Sequence, residues 1–532
     1  PYDAQSGFAL EPMYLCLGKL KGIRRGSFEK EIEVLRSTYG TVHEGARVNY
    51  QIKAAKLELL WNIYQKAAKN SPAFKRFVMR NQFWIRDYVL FKVIKEEQGG
   101  KKWEDWPTEL KERRKEAIDC FEREHKETLH FHMWLQWQIF EQFKDIRKYA
   151  RNKQVFLMGD LPFLAARDSA DVWSHPEYFK LDLSSGAPPD AYFFKGQRWG
   201  MPPCNWERIT ADSYQYLLGR LKYAENFYDL LRIDHVVGLY RIWSIPLSEP
   251  IENGGLNGFF DSSDESIWEA HGRKLLSLIV QHTKMLVCVE DLGTVPECSY
   301  RVLKEFGIPG MDVQRWMRDP ENEYGFSPPA SYRENSIATI STHDMASFNA
   351  WWEYEAGTVY EPLFKRSCEA KGISFEEIRP KLFDLGKSAH HRLRWREEIS
   401  SSAVLVRVLN RVESEIGGLI DLYRYSYDEK IKFWNYLNLP GRLQEKSSAG
   451  LVKSALQKIS GAASIFSIQL LQDWLALGNF FDATDSWEMR INFPGTSSDK
   501  NWNLVVPLSL EEMKKLDRNR VIREINSTAD RI

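Results

Sequence analysis

The sequence has little cysteine and no net charge. Its 532 residues include six cysteines, none in a CxxC pair or at a spacing typical of metal ligands, which argues against a disulfide scaffold or a cysteine-based metal site. Lys plus Arg and Asp plus Glu both total 73, so the basic surface that binds nucleic acid or anionic membranes is missing. We therefore expect an uncharged substrate and a reducing compartment.

Membrane, targeting and nucleotide-binding signals are also missing. The longest uncharged run in the C-terminal region, residues 459–472, is too short and too polar to cross a bilayer, and the N-terminus has no basic-then-apolar segment. There is no P-loop and no strand-linked G-x-G-x-x-G. His130 and His132 on one helix would point about 200° apart, which disfavours a shared metal site. We expect a soluble, cytoplasmic protein without cofactor or metal.

Apolar and aromatic residues are plentiful. Hydrophobic residues make up 43% of the chain, enough for one large barrel with elaborations or for two to three domains. Aromatic residues make up 13%, with 19 Trp and 23 Tyr. Their flat rings can cover the apolar faces of sugars, although most of them are expected to pack in the core.

The spacing of apolar residues divides the chain into a helical part, a strand-rich part and a second helical part. Between about 27 and 150 apolar residues recur three apart, as in Tyr88, Phe91 and Ile94, which predicts helices. Between 150 and 345 short apolar runs are typical of strands of a parallel barrel. Four of these runs end in acid, at 155–160, 230–234, 286–291 and 337–344.

These four acidic runs predict a converging site. In a (β/α)8 barrel the catalytic groups lie where strands end at the C-terminal face. The alternative for any single run is that an acid ends a strand only for solubility. Four such runs in one region favour the functional interpretation.

Two of the acids suit the cleavage of a glycosidic bond with retention, which needs a carboxylate nucleophile and a carboxylic acid about 5–5.5 Å apart. Asp234 is the candidate nucleophile, because Arg232 two residues earlier shares its strand face and can hold it ionised. Glu290 is the candidate acid, because an apolar lead-in and a neighbouring carboxylate would keep it protonated. Asp344, preceded by His343, would hydrogen-bond sugar hydroxyls.

Several motifs, in order and at similar spacing, resemble those of the amylomaltases, glycoside hydrolase family 77 of the α-amylase superfamily. They are Gly186-Ala-Pro-Pro-Asp190, Gly196-Gln-Arg-Trp-Gly200, Arg232-Ile-Asp-His235, Glu290-Asp-Leu-Gly293, Thr342-His-Asp344 and Arg490-Ile-Asn-Phe-Pro-Gly-Thr496. The resemblance runs from residue 1 to near the C-terminus.

The resemblance implies roles for nine residues. Asp234 would be the nucleophile, Glu290 the general acid/base and Asp344 the transition-state stabiliser. The −1 sugar site would be lined by Asp160, Arg232, His235 and His343. Gln197 and Trp199 would lie on a loop that covers the glucan, with the Trp as a stacking platform; the alternative for Trp199 is a buried loop anchor.

The resemblance also implies a fold, with some departures. Amylomaltases have two barrel strands ahead of the segment that Pro1-Tyr2 resembles, so we expect a (β/α)8 barrel whose first two strands are missing from this chain. The expected parts are a barrel entry segment (1–26), a helical insertion (27–150), the catalytic barrel strands (151–345), a helical subdomain (346–460) and a barrel-closing segment (461–532). The Phe-Arg pair usual after the Arg-Ile-Asp-His motif is replaced by Val236-Val237.

Together these features predict a 4-α-glucanotransferase that moves α-1,4-glucan segments between maltooligosaccharides, or from a glucan donor to glucose. The alternatives are a retaining α-glucan hydrolase with the same residues and an inactive glucan-binding fragment. The complete Asp, Glu, Asp set argues against inactivity.

Overall fold

A computed structural model of the chain describes residues 2–40, 47–66, 71–190, 195–478, 480, 485–496 and 498–531. The described residues form two compact units. The first comprises Pro1–Thr41, Asn49–Pro188 and Arg198–Phe306, and the second comprises Val42–Val48, Pro189–Gln197 and Gly307–Ile532. None of the helices in the described ranges is long and apolar enough to cross a membrane.

The N-terminal half of the first unit is helical. Its described residues form α1 (Glu29–Tyr39), α2 (Gln51–Lys66), α3 (Pro72–Arg80), α4 (Gln82–Glu97), α5 (Thr108–Lys111), α6 (Lys115–Glu124) and α7 (Lys126–Asn152). Helix α4 buries an apolar face that includes Trp84 and Phe91, and α7 buries Trp134 and Leu135. These buried faces follow the helical spacing of apolar residues in the sequence.

Three glutamines of α7 hold the N-terminal segment. Gln136, Gln142 and Gln138 each accept from the backbone N–H and donate to the backbone C=O of one residue, at 2.7–3.0 Å; the partners are Leu10, Cys16 and Lys21 respectively. The paired bonds satisfy backbone groups in a segment with little regular structure, which explains buried amides on an otherwise apolar helix face.

The rest of the first unit is mixed. Its strands are β1 (Met158–Pro162), β2 (Leu183–Ala187), β3 (Gln197–Arg198, whose first residue belongs to the second unit), β4 (Leu230–Asp234), β5 (Ile242–Pro246), β6 (Phe259–Asp261) and β7 (Leu286–Val289). Its helices are α8 (Ala170–Ser174), α9 (Trp206–Ala211), α10 (Gln215–Ala224), α11 (Glu265–His282) and α12 (Glu297–Phe306). The strands form a parallel sheet β1-β4-β7 and a second sheet ordered β3-β2-β5-β6.

The parallel sheet sets the register of the acids. Asp160 lies opposite Arg232, and Arg232 lies opposite Cys288. Strand β4 coincides with the predicted run 230–234 and ends at Asp234, and Glu290 directly follows β7. Both carboxylates therefore lie at the C-terminal ends of neighbouring strands.

The run 155–160 does not form the strand that its sequence predicts. The N–H of Val155 bonds to the carbonyl of Ala150 and completes the end of α7, and Val155 and Phe156 are 52% and 66% exposed. Strand β1 begins only at Met158, so Asp160 lies in its middle instead of at its end.

The second unit contains another parallel sheet. Its strands are β8 (Gly310–Val313), β9 (Arg318–Asp319), β10 (Gly325–Phe326), β11 (Ser336–Thr339), β12 (Thr358–Tyr360), β13 (Phe383–Ala389), β14 (Arg392–Trp395) and β15 (Phe466–Ser467). Strands β15, β11 and β8 pair in parallel, in that order. The run 337–344 yields β11 followed by a loop, so Asp344 lies five residues beyond the strand end.

The helices of the second unit follow and separate these strands. They are α13 (Phe348–Ala350), α14 (Glu361–Glu369), α15 (Phe375–Leu382), α16 (Ser402–Leu409), α17 (Gly417–Ser426), α18 (Glu429–Tyr436), α19 (Ala449–Ser460), α20 (Leu471–Leu475), α21 (Leu510–Met513) and α22 (Asn519–Thr528). One hydrophobic cluster joins α18 and α19 to β11 through buried residues such as Phe433, Leu456 and Ala338.

The sequence predicts that the segment 346–460 is helical, but the structure shows strands in it as well as helices. It contains an antiparallel sheet ordered β12-β14-β13. Strand β13 buries only its first residue, Phe383, and its middle residues are exposed. The apolar alternation that reveals a strand in a sequence is therefore missing.

Candidate active site

Arg232 joins two carboxylates at the end of β4. Its Nη1 donates to Asp160 Oδ2 at 2.6 Å and to Asp234 Oδ1 at 3.0 Å. The guanidinium is largely buried and the two acids raise its pKa against the opposing effect of burial. Because strand side chains alternate, Arg232 and Asp234 share one face of β4. The cation favours the ionised form of the Asp234 carboxylate.

The Glu290 carboxyl group is held by backbone N–H groups instead of a cation. Oε2 accepts from the N–H of His235 at 2.8 Å, and Oε1 accepts from the N–H of Leu292 at 2.9 Å. Burial, together with the charge of Asp234, raises the pKa of Glu290 to about 8 against the smaller opposing effects of Arg232 and these hydrogen bonds. Glu290 is therefore mostly protonated at neutral pH.

His235 connects Glu290 to Trp199. Its backbone is left-handed, with φ of 46°, which turns the chain sharply after β4 and presents its N–H to Glu290. The imidazole meets the Trp199 ring edge to face, with centroids 4.8 Å apart. Burial, and secondarily Arg241, lowers the pKa of His235 to about 4. The ring is thus neutral at neutral pH and can share in uncharged hydrogen bonds.

The remaining predicted site residues belong to the second unit. Asp344 Oδ1 accepts from Asn492 Nδ2 at 2.7 Å, and the backbone carbonyl of Asp344 accepts from Arg490 at 3.1 Å. Asp344 also lies 3.3 Å from His343 Nε2, and the His343 ring contacts Trp502 at 4.7 Å between centroids.

Gln197, the last of these residues, lies near Gly495, where an added Cβ would be 4.0 Å from the Gln197 Cγ. The first unit thus brings together Asp160, Arg232, Asp234, His235, Glu290 and Trp199, whereas the second holds Gln197, His343 and Asp344.

Three contributors were not predicted from the sequence. Asn492 and Arg490 lie in the motif 490–496, which supported the family resemblance but suggested no role for its side chains. The only signal for a role of these side chains is that they lie two residues apart, close to a proline and a glycine. The only signal for Arg241 is that it is the first arginine after Val237, the position where the family usually has an arginine.

The group in the first unit has the parts required for acid-assisted displacement at a sugar carbon. One carboxylate is hydrogen-bonded to an arginine, which favours its ionised form, and burial raises the pKa of a second carboxyl group. Where side chains are described, no group of three or more His, Cys, Asp or Glu residues is arranged to hold a metal ion.

Comparison with known proteins gives relatives along nearly the whole chain. A 4-alpha-glucanotransferase of Chlamydia pneumoniae is 30% identical over 519 residues, which cover 96% of this chain and 82% of the relative. A 4-alpha-glucanotransferase of Thermus thermophilus is 32% identical over 409 residues, covering 74% and 78%.

A similar solved structure is the amylomaltase of Streptococcus agalactiae in complex with acarbose. It aligns with 100% of this chain and 88% of its own, at a TM-score of 0.69 and 21% identity. At that identity the likeness concerns the fold, and it confirms the predicted α/β class.

The family itself is established by a sequence model described as 4-alpha-glucanotransferase, which matches residues 1–509. This match confirms the family indicated by the motifs. The chain belongs to the 4-alpha-glucanotransferases of glycoside hydrolase family 77.

Proposed function

We propose that the protein is a 4-α-glucanotransferase of the amylomaltase type, which transfers α-1,4-glucan segments between maltooligosaccharides or to glucose with retention of configuration. The observation that carries this proposal is the contrast between two neighbouring carboxyl groups. Asp234 is bonded to Arg232, whereas the pKa of Glu290 is raised to about 8. Retaining transfer requires this pairing of an ionised nucleophile with a protonated acid.

In the first step the Asp234 carboxylate attacks the anomeric carbon of the donor sugar. Glu290 gives its proton to the glycosidic oxygen as the C–O bond breaks, so the shortened glucan leaves as an alcohol. The products are a covalent glycosyl ester on Asp234 and an ionised Glu290.

In the second step Glu290 acts as a base. It takes the proton of the acceptor 4-hydroxyl while that oxygen attacks the anomeric carbon and the ester bond to Asp234 breaks. Two inversions give net retention, and Glu290 regains its proton for the next cycle.

The other predicted residues are proposed to bind sugar. Asp160, Arg232, His235 and His343 would line the −1 site, and Gln197 and Trp199 would contact the glucan. The contact of Trp199 with His235 supports a ring held in a fixed orientation. The role of Asp344 as transition-state stabiliser rests on the Thr342-His-Asp344 motif and on its hydrogen bond from the buried Asn492.

We also propose that the parallel strands belong to a (β/α)8 barrel, with helices α1 to α7 as an insertion. The described residues supply six parallel strands, in two sheets of three, and the helices form one uninterrupted block before β1. A cytoplasmic location is proposed because all six cysteines are free thiols.

The products formed from maltotriose test the function. A glucanotransferase yields glucose together with a ladder of oligomers longer than maltotriose. Glucose and maltose alone would show that water is the acceptor, and the protein would then be a hydrolase. Asp234→Asn is the matched control, because an amide is a poor nucleophile and the variant should give neither pattern.

A further inference from the structure

Arg241 is a buried arginine that donates a hydrogen bond to the turn after Glu290. It follows the short 3-10 turn Val236–Leu239 and directly precedes β5. Only 9% of the residue is exposed. Its Cζ lies 3.8 Å from the ring centroid of Phe260 on β6 and 4.4 Å from that of Trp268 on α11.

The guanidinium has few polar partners for a buried charge. Nη2 donates to the carbonyl of Thr294 at 3.2 Å, while Nε is buried without a hydrogen bond. Across the described ranges, no carboxylate forms an ion pair with Arg241. Burial lowers the pKa of Arg241, and the charge of Glu265 and the two aromatic faces offset only part of this cost. A residue selected for stability alone would be apolar here.

The Thr294 carbonyl lies at the end of the turn 290–294, which begins with Glu290. The turn starts where the N–H of Glu290 bonds to the carbonyl of Ile233 on β4 at 2.9 Å. It continues through Leu292, whose N–H bonds to the Glu290 carboxyl group, and through Gly293 at φ of 87°. Arg241 thus donates a hydrogen bond to the far end of this turn.

The family resemblance leads one to expect an arginine at position 237, where this chain has the buried Val237. The next arginine along the chain is Arg241. Its position is rigid, because its N–H bonds to the carbonyl of Val237 at 3.0 Å and the strand that follows pairs with β2 and β6.

We propose that Arg241 is a positioning residue, which holds the turn 290–294 so that the Glu290 carboxyl group stays bonded to the N–H groups of His235 and Leu292. The inference rests on the proposed role of Glu290 as general acid. Arg241 itself is not assigned any contact with the sugar; it acts through the backbone of the turn.

Two sugar donors distinguish a positioning role of Arg241 from a role in stability alone. Cleavage of maltotriose needs proton donation by Glu290, whereas α-glucosyl fluoride has a leaving group that departs without it. We would measure kcat/KM for both donors with wild type, Arg241→Met and Arg241→Lys. The control is Arg113→Met, which removes another arginine stacked on an aromatic ring, at 4.3 Å from Trp173, in the helical part of the same unit.

For Arg241→Met we expect kcat/KM with maltotriose to fall about 10- to 100-fold, because general acid catalysis is lost when the acid is displaced. The value with α-glucosyl fluoride should change less than about threefold. Arg241→Lys keeps the charge but not the planar fork, so its ratio should lie between those of wild type and Arg241→Met. Arg113→Met should keep the wild-type ratio of the two donors.

Equal losses with both donors in the Arg241 variants would overturn the proposal, since a smaller folded fraction lowers both values alike. If Arg241→Met does not fold, the test uses the ratio of kcat/KM for the two donors in Arg241→Lys and in Phe260→Leu. Phe260→Leu keeps the arginine and removes one of the two rings that it contacts. A wild-type ratio in both would again refute positioning. Failure of the proposed function is a different result, in which wild-type protein makes no oligomers longer than maltotriose.

Discussion

In the proposed mechanism Glu290 must carry a proton when a glycosidic oxygen leaves, so the rate of the first step should follow its protonation. The pKa of Glu290 is raised to about 8, from 4.5 for an ordinary glutamate. At pH 7 about nine in ten molecules would then hold the proton, whereas with a pKa of 4.5 only about one in three hundred would. The raised pKa is therefore worth a factor of about 300 in competent enzyme at neutral pH.

The assay is kcat/KM for maltotriose between pH 5 and 10, taken from initial rates of glucose release. We expect no alkaline decline up to about pH 7 and a tenfold fall per pH unit above about pH 8. The sign follows from the active form: it is the protonated one, so activity is lost as pH rises through the folded-state pKa. Enzyme held at pH 10 and returned to pH 7 should recover its activity, which separates titration from unfolding.

The same profile with α-glucosyl fluoride is the control, because departure of fluoride requires no proton from Glu290. Its alkaline limb should be missing over this range. If kcat/KM falls at alkaline pH with both donors, the titrating group is not Glu290 acting as the acid. If kcat/KM for maltotriose already falls tenfold per pH unit from pH 5 upward, burial and Asp234 do not hold the proton on Glu290, and the reasoning is refuted.

Three further outcomes are expected. Glu290→Gln incubated with α-glucosyl fluoride should accumulate a glucosyl adduct on Asp234, visible by mass spectrometry; an adduct that persists in Asp234→Asn would identify a different nucleophile. Because the pKa of Glu290 is raised on folding, wild type loses stability as pH rises from about 4.5 to about 8. The Tm of Glu290→Gln should therefore increase relative to wild type between pH 5 and pH 8.5, and a constant difference would contradict this. Trp199→Ala should raise KM for maltotriose about tenfold with less effect on kcat, through loss of roughly 1.5 kcal/mol of stacking; an unchanged KM would favour the loop-anchor interpretation.

The part of the site that the sequence predicted depends on local geometry. Arg232 and Asp234 are two residues apart in an apolar run, and a strand places such residues on one face. Glu290 ends a similar run and directly follows β7. The first feature follows from the two-residue period of a strand and the second from the length of an apolar run, and a sequence displays both without knowledge of distant partners.

The part that was missed depends on contacts between distant residues. Asn492 donates to Asp344 across 148 positions, and Arg241 reaches Thr294 across 53. Neither pair has a spacing that indicates contact. The start of β1 was misplaced for a related reason: the apolar Val155 bonds back to the preceding helix, and apolar periodicity cannot distinguish that use of the residue from a strand.

In the proposed cycle, the protonation states of Asp234 and Glu290 reverse when the glycosyl ester forms and return when it breaks. Burial is the largest cause of the raised pKa of Glu290, and the negative charge of Asp234 is the next. Formation of the glycosyl ester neutralises Asp234, so this second cause disappears while Arg232 keeps its charge. Glu290, which has just lost its proton, is then more stable as a carboxylate and has its two backbone N–H donors to hold it. When the acceptor breaks the ester, the charge returns to Asp234 and drives the proton back onto Glu290. In this cycle the two carboxyl groups exchange the roles of charged and neutral partner within one turnover, and Arg232 is the fixed cation that favours the charged form of Asp234 at rest.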